Sequence, residues 1–283
     1  MIWTTLIGVE ELASVIDTCV VVDCRHELLD LERGRQAYGE AHIPGAFFLH
    51  QDEDLAGEKT GRNGRHPLPT RAGLSARLAA IGLDEDRQLV AYDEGSGHTA
   101  GRLWWLARWL GHERVAVLDG GIAAWKKAGY PVTDETTDAA RSGNFAERAP
   151  LNALRDAAQL VRNIDTREML VLDARTPERY RGEVEPIDPV AGRIPGSLNR
   201  PLSANLRPDG RFKPAEVLRQ EFVALLGDAA PDQVVHSCGS GVSACQNLLA
   251  MEYAGLAGSA LYAGSWSEWC SDPARPVATG PAD

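Results

Sequence analysis

The chain has 283 residues, 44% hydrophobic and 24% charged, with a formal net charge of −11. It is long for one ordinary domain of about 100–150 residues, so two domains are expected, and its acidity argues against a nucleic-acid partner. The N-terminus "MIWTTLIGVEELASVIDTCV" lacks a basic n-region and a long apolar core. No stretch approaches the roughly 18 uncharged apolar residues of a membrane helix, so a cytoplasmic protein away from the membrane is expected.

In chain order, "CVVVD" reads as a buried strand, "GLSARLAAIGL" as an amphipathic helix, "QLVAY" as a strand, "TAGRLWWLARWLG" as a helix and "RVAVLDG" as a strand. "LDGGIAAWKKAGYPV" closes this first copy, and the polar, acidic stretch 133–150 reads as a linker. The series then repeats. "VVDCRHE" (21–27) returns as "VLDARTPE" (171–178), and "HIPGAFF" (42–48) as "RIPGSLN" (193–199). "LVAYDEGSGHTAGRLWWL" (89–106) returns as "VVHSCGSGVSACQNLLAM" (234–251), and "LDGGIAAW" (118–125) as "LYAGSWSEW" (261–269). Four blocks in the same order define a tandem duplication with domains at 1–132 and 151–283. Short buried strands alternating with helices predict an α/β fold with a parallel sheet covered on both faces.

Chemistry concentrates in "QVVHSCGSGVSACQNLL", residues 233–249. Cys238 follows a strand and precedes a helix, at the strand end where ligands collect in an open parallel sheet. The unpaired N–H groups of a helix start favour an anion and so stabilise a thiolate or persulfide. Gly239 and Gly241 let the backbone curl around one atom without Cβ obstruction. A dinucleotide site lacks its acidic residue further on, since "GLAGSALY" holds none, and a P-loop lacks its Lys-Ser/Thr. A cysteine phosphatase would place arginine at Ala244. Chemistry on the cysteine sulfur itself remains. The first copy has Asp93-Glu94 where the second has Cys238-Gly239, so only the second copy carries a nucleophile. Cys19, Cys24 and Cys270 have no His or Cys neighbours at metal-ligand spacing, and Cys245 is expected in the core. Asp173 and Arg175 are expected to be structural, because Asp23 and Arg25 occupy the same places in the copy without the cysteine.

"CGSGVSA", the paired D-x-R and IPG blocks and "GSWSEW" together resemble the rhodanese superfamily in its two-domain form, over essentially the whole chain. The resemblance implies a central parallel five-stranded sheet flanked by helices in each domain, a non-catalytic first domain and a catalytic second. It implies a sulfurtransferase that moves a sulfane sulfur from a small anionic donor through a Cys238 persulfide, with no metal or organic cofactor. The acceptor would be a thiol, thioredoxin or cyanide. Arg179 matches an arginine that holds the donor's anionic group, with Arg181 as a substitute. The family's second arginine is replaced by Ile187, leaving Arg193 and Arg200 as candidates. His66 in "GRNGRHPLPT" resembles a proton-relaying histidine of the mercaptopyruvate branch, whose acidic partner falls at Leu49 here, with Asp52 or Asp54 nearby. Ser240 can donate from within the loop, Gly239, Gly241, Val242 and Ser243 complete the donor's surroundings, and Trp266 and Trp269 are candidates to line the pocket or pack the core. Thiosulfate-preferring members carry basic residues after the cysteine, where this chain has Gly239 and Ser240, so 3-mercaptopyruvate is the favoured donor. The alternatives are a thiosulfate:cyanide sulfurtransferase and a non-catalytic partner-binding module.

Overall fold

β-Branched runs flanked by turns become the central strands of two parallel sheets. A computed structural model describes residues 2–139 and 141–281. It divides into two compact units: residues 1–57, 69–151 and 207–212 form the first, and residues 58–68, 152–206 and 213–283 the second.

In the first unit β1 (Leu6–Ile7), β2 (Cys19–Asp23), β3 (Phe47–Phe48), β4 (Gln88–Tyr92) and β5 (Val115–Leu118) form one sheet ordered β1-β5-β4-β2-β3. All its pairings are parallel. Every residue of β2, β4 and β5 is buried, as expected of strands covered on both faces. The helices are α1 (Val9–Val15), α2 (Arg33–Glu40), α3 (Arg71–Ala80), α4 (His98–Trp109) and α5 (Gly121–Lys127). Thr70 caps α3 by accepting the Gly73 N–H, which starts the helix just ahead of "GLSARLAAIGL".

The second unit repeats the arrangement with β6 (Ala153–Leu154), β7 (Leu170–Asp173), β8 (Leu198–Asn199), β9 (Val234–Ser237) and β10 (Ala260–Leu261), ordered β6-β10-β9-β7-β8. Its helices are α6 (Ala157–Thr166), α7 (Pro177–Arg181), α8 (Ala215–Leu226), α9 (Ala244–Tyr253) and α10 (Ser265–Trp269). The register preserves the duplication: Asp23 pairs with Tyr92 in the first sheet and Asp173 with Ser237 in the second. Asp93 and Cys238 therefore leave their sheets at equivalent points. The two D-x-R pairs also match. Arg25 bonds both carboxylate oxygens of Asp23 and the Ala41 carbonyl, and Arg175 does the same with Asp173 and the Gly192 carbonyl.

Three segments near the ends and insertions of the repeats are assigned by their contacts. Residues 133–139 and 141–150, from the stretch read as a linker, lie along the first unit: Gly143 and Phe145 donate to the carbonyls of Ala79 and Leu83, and the Phe145 ring is buried. One aromatic side chain and a few backbone hydrogen bonds suffice to tie down a segment with no hydrophobic period. Residues 58–68, from the first repeat, belong to the second unit, and residues 207–212, from the second repeat, to the first. No helix among the described residues is long and apolar enough to cross a membrane.

Candidate active site

Cys238 sits at the carboxyl end of β9, 2% exposed. Its Sγ accepts the Gly241 N–H at 3.2 Å, and its own N–H donates to Ser265 Oγ at 3.1 Å. Its carbonyl accepts from Trp266 N and that of Gly239 from Ser267 N, so the first turn of α10 braces the loop from behind. Gly241 has φ +77°. A Cβ there would stand 2.2 Å from the Ala263 carbonyl oxygen, so both conformation and space require glycine. Ser265 holds φ +53°, one of two non-glycine positive values among the described residues. The first copy has Gly121 at the matching place, φ +56°. A serine is retained in the second copy at some backbone strain, and its hydroxyl is what anchors Cys238, itself donating to the Tyr262 carbonyl. Val242 is buried. Ser243 occupies the N-cap of α9 without a side-chain cap bond.

Segment 58–68 brings His66 to the loop. The ring is buried and its Nδ1 lies 2.8 Å from Ser240 Oγ. The same segment delivers Arg65, which sequence reasoning did not single out. Its backbone N–H donates to Ser267 Oγ, and its Nη1 pairs with Asp188. Arg179, on α7, gives Nη2 and Nε to Glu185 at 2.7 and 3.2 Å, with Asp188 at 3.5 Å. Glu185 also receives Arg175 Nη1 at 3.4 Å, and the N–H groups of Ile187 and Asp188. Burial alone would raise the Glu185 carboxyl, but the hydrogen bond from Arg179, the Asp188 N–H and the arginine's charge hold it below the ordinary carboxylate range. Arg175 loses charge stabilisation through burial, yet Asp173, then Glu185 and the nearby Cys238, keep it firmly protonated. It stacks 4.8 Å from the Trp266 ring.

Other expected site residues are directed elsewhere. Arg181 gives Nε and Nη2 to the exposed Glu183 at 2.7 and 2.9 Å and does not reach the loop. On so short a helix, Arg179 and Arg181 point to different sides, and only Arg179 faces Gly239. Arg193 bonds the carbonyls of Gly280 and Pro281, and Arg200 is held by Asn205, Ala204 and Glu221. Neither replaces the arginine absent at Ile187. Asp54 is taken by Arg77 and the His50 N–H within the first unit. Trp266 and Trp269 are core residues, and Trp266 Nε1 ties down the Val190 carbonyl. Asp188 and Glu185, also missed, stand in a loop whose acidic residues have no periodic signature. The signal for Arg65 was its place directly before His66.

The first copy shows what the same backbone does without a thiol. Asp93 is 2% exposed. Its Oδ1 accepts from the N–H groups of Gly95 and Gly97 at 2.9 and 3.0 Å, and Oδ2 from Thr99 and Ala100 at 3.1 and 3.4 Å. The carboxylate occupies the anion cradle. A cavity of about 270 Å³ lies in front of it, lined among others by Arg25, His26, Arg33, Glu94 and His98.

Two copies of one five-stranded parallel unit, one bearing a thiol at the strand end, define the tandem rhodanese architecture. The chain belongs to the rhodanese family: the profile of the rhodanese-like domain matches residues 8–128 and again 156–272. A protein of Pseudomonas aeruginosa named "Probable 3-mercaptopyruvate sulfurtransferase" is 49% identical over 263 residues, 92% of each chain. The thiosulfate sulfurtransferase of Bos taurus is 34% identical over 246 residues, covering 83% of this chain and 79% of its own. The structure of the 3-mercaptopyruvate sulfurtransferase from Leishmania major superposes with a TM-score of 0.80 at 28% identity, over 94% of this chain and 74% of that one. These relatives are all named as sulfurtransferases, and the chain is a sulfurtransferase.

Proposed function

We propose that the chain takes sulfur from 3-mercaptopyruvate onto Cys238 and passes it to a thiol, thioredoxin or cyanide by double displacement. The Cys238 thiolate attacks the donor sulfur, an S–S bond forms and the donor's C–S bond breaks, and its electron pair leaves on carbon as the enolate of pyruvate. The donor's S–H proton compensates the enolate, leaving a persulfide anion and pyruvate. In the second half the acceptor takes the outer sulfur and Cys238 is regenerated. The observation that carries the choice of donor is the 2.8 Å contact between His66 Nδ1 and Ser240 Oγ beside the thiol. A hydroxyl hydrogen-bonded to imidazole is suited to moving that proton, and thiosulfate, which leaves as sulfite, requires none. The loop residues Gly239, Gly241, Val242 and Ser243 surround the sulfur, and Arg179 faces the donor's carboxylate. The first repeat, residues 1–132, supplies no nucleophile.

Thiosulfate is the second reading, since two guanidinium groups near Gly239 also offer N–H donors to its oxygens. Kinetics with both donors decide between them. The expected result is a higher kcat/KM for 3-mercaptopyruvate, with intact mass rising by one sulfur in the wild type and not in Cys238→Ser. Clear preference for thiosulfate would overturn the donor assignment, and turnover by Cys238→Ser would overturn the mechanism.

A further inference from the structure

Glycine at position 239 leaves room that two arginines fill. A Cβ built there would lie 2.9 Å from Arg65 Nη2 and 3.6 Å from both Nη1 and Nη2 of Arg179. The two guanidinium groups converge over the residue next to the nucleophile, yet they arrive from parts of the chain far apart in sequence. Their other donors are committed: Arg65 Nη1 to Asp188, and Arg179 Nε and Nη2 to Glu185. Arg65 Nη2 and Arg179 Nη1 carry no hydrogen bond to any described residue, and Arg65 Nε is buried without a partner.

We propose that Arg65 Nη2 and Arg179 Nη1 together seat the donor's carboxylate, so that Arg65 is a donor-specificity residue of this enzyme. Resting on the donor reading above, this adds an arginine that acts from the segment carrying His66. The seat is preorganised. Arg65 N–H donates to Ser267 Oγ and Ser267 N–H donates to the Gly239 carbonyl, so one serine joins the Arg65 backbone to the cysteine loop. Gly64 has φ +84° and packs so close to Gly264 that a Cβ would meet its carbonyl oxygen at 2.8 Å, which fixes the segment from the other side. The Glu185 and Asp188 side chains are 2% and 4% exposed, so they orient the guanidinium groups from beneath and leave the free N–H donors toward the loop.

Charge balance makes the seat selective. Arg65 and Arg179 carry two positive charges against the two carboxylates of Glu185 and Asp188, and Arg175 is matched by Asp173. A cluster already neutral accommodates one carboxylate through its remaining N–H donors, but it offers no surplus cation for a second negative charge beside the Cys238 thiolate. The seat therefore fits a monoanionic 2-oxo acid better than a dianion.

The test compares wild type, Arg65→Ala, Arg65→Lys and Gly239→Ala as full-length protein, each confirmed folded by thermal unfolding. Persulfide formation from 3-mercaptopyruvate and from thiosulfate is followed by mass, together with inhibition by pyruvate. Loss of a charge-assisted contact predicts a fall of about 10- to 100-fold in kcat/KM for 3-mercaptopyruvate in Arg65→Ala, expressed mainly in KM, with pyruvate inhibition weakened in parallel. Arg65→Lys keeps the charge without the fork and should fall between. Gly239→Ala, whose methyl intrudes on Nη2, should raise KM in the same direction. Discharge of the preformed persulfide to cyanide, which brings no carboxylate, should fall far less than charging by 3-mercaptopyruvate in each variant. Unaltered KM and pyruvate inhibition in Arg65→Ala would overturn the inference, as would a larger loss with thiosulfate than with 3-mercaptopyruvate. If the wild type itself is not charged by 3-mercaptopyruvate, the donor reading fails instead.

Discussion

Replacing Gly241 by alanine tests whether the loop is built around one sulfur atom. At φ +77° an L-residue is disfavoured by roughly 1–2 kcal/mol. The new methyl would lie 2.2 Å from the Ala263 carbonyl oxygen and 3.0 Å from its carbon. Ordinary C···O contacts are about 3.3–3.6 Å, so the turn at Ala263 must open by about 1 Å. Overpacking of this kind costs about 1–3 kcal/mol, giving a total of roughly 2–5 kcal/mol. At about 4 °C per kcal/mol for a unit of this size, Tm should fall by about 8–20 °C. The same turn carries Ser265, which holds the Cys238 N–H, while the Gly241 N–H holds the sulfur. Both supports of Cys238 therefore move, and persulfide formation should be lost even at temperatures where the protein stays folded. Gly239→Ala is the control for stability alone: its methyl meets a side-chain end and no backbone, so Tm should change little. Thermal unfolding and intact mass after donor treatment read both effects. A Gly241→Ala protein with wild-type Tm and normal charging would refute the reasoning.

Asp93→Asn should leave donor kinetics as in the wild type while lowering stability by about 1–3 kcal/mol, because an amide cannot accept all the N–H groups that the carboxylate does; loss of turnover without loss of stability would contradict a silent first copy. His236, fully buried on β9, has its pKa lowered by desolvation from the ordinary 6.5 to about 3. The unfolded chain therefore binds a proton that the folded chain refuses, so this stability is present above pH 6.5 and is lost as pH falls toward 3. The loss should reach roughly 2 kcal/mol between pH 6.5 and 5. Denaturant unfolding across that range should show the slope, and His236→Leu should flatten it; an unchanged slope would refute the attribution.

The duplication and the strands were legible because burial on both faces selects apolar, β-branched runs such as "CVVVD", and a repeated order of such runs is hard to mistake. Cys238 was legible through its context, a strand end followed by glycines and a helix. Arg65 was not, because its approach to Gly239 depends on the 58–68 segment joining the second unit, and no local pattern encodes which unit a loop will join. Arg179 and Arg181 are equivalent as letters. Only the direction of a five-residue helix, with Glu183 at the surface and Glu185 buried, separates them. The strain at Ser265 was equally silent in the sequence, although the glycine at position 121 marks the conformation both copies adopt.

Asp93 gives the molecule an internal likeness of its own intermediate. A carboxylate places its oxygens one bond beyond Cγ, much as a persulfide places its outer sulfur one bond beyond Sγ, and both are anions at the end of a short stem. In the first copy four backbone N–H groups already close on that outer position. In the second copy Sγ receives the Gly241 N–H at 3.2 Å. The uncharged enzyme thus carries a resting nest, while its sister domain displays a nest with the outer position permanently occupied. Sulfur loading at Cys238 then resembles the addition of a missing side-chain atom, one that evolution supplied covalently in the first domain and left to be delivered and removed in the second.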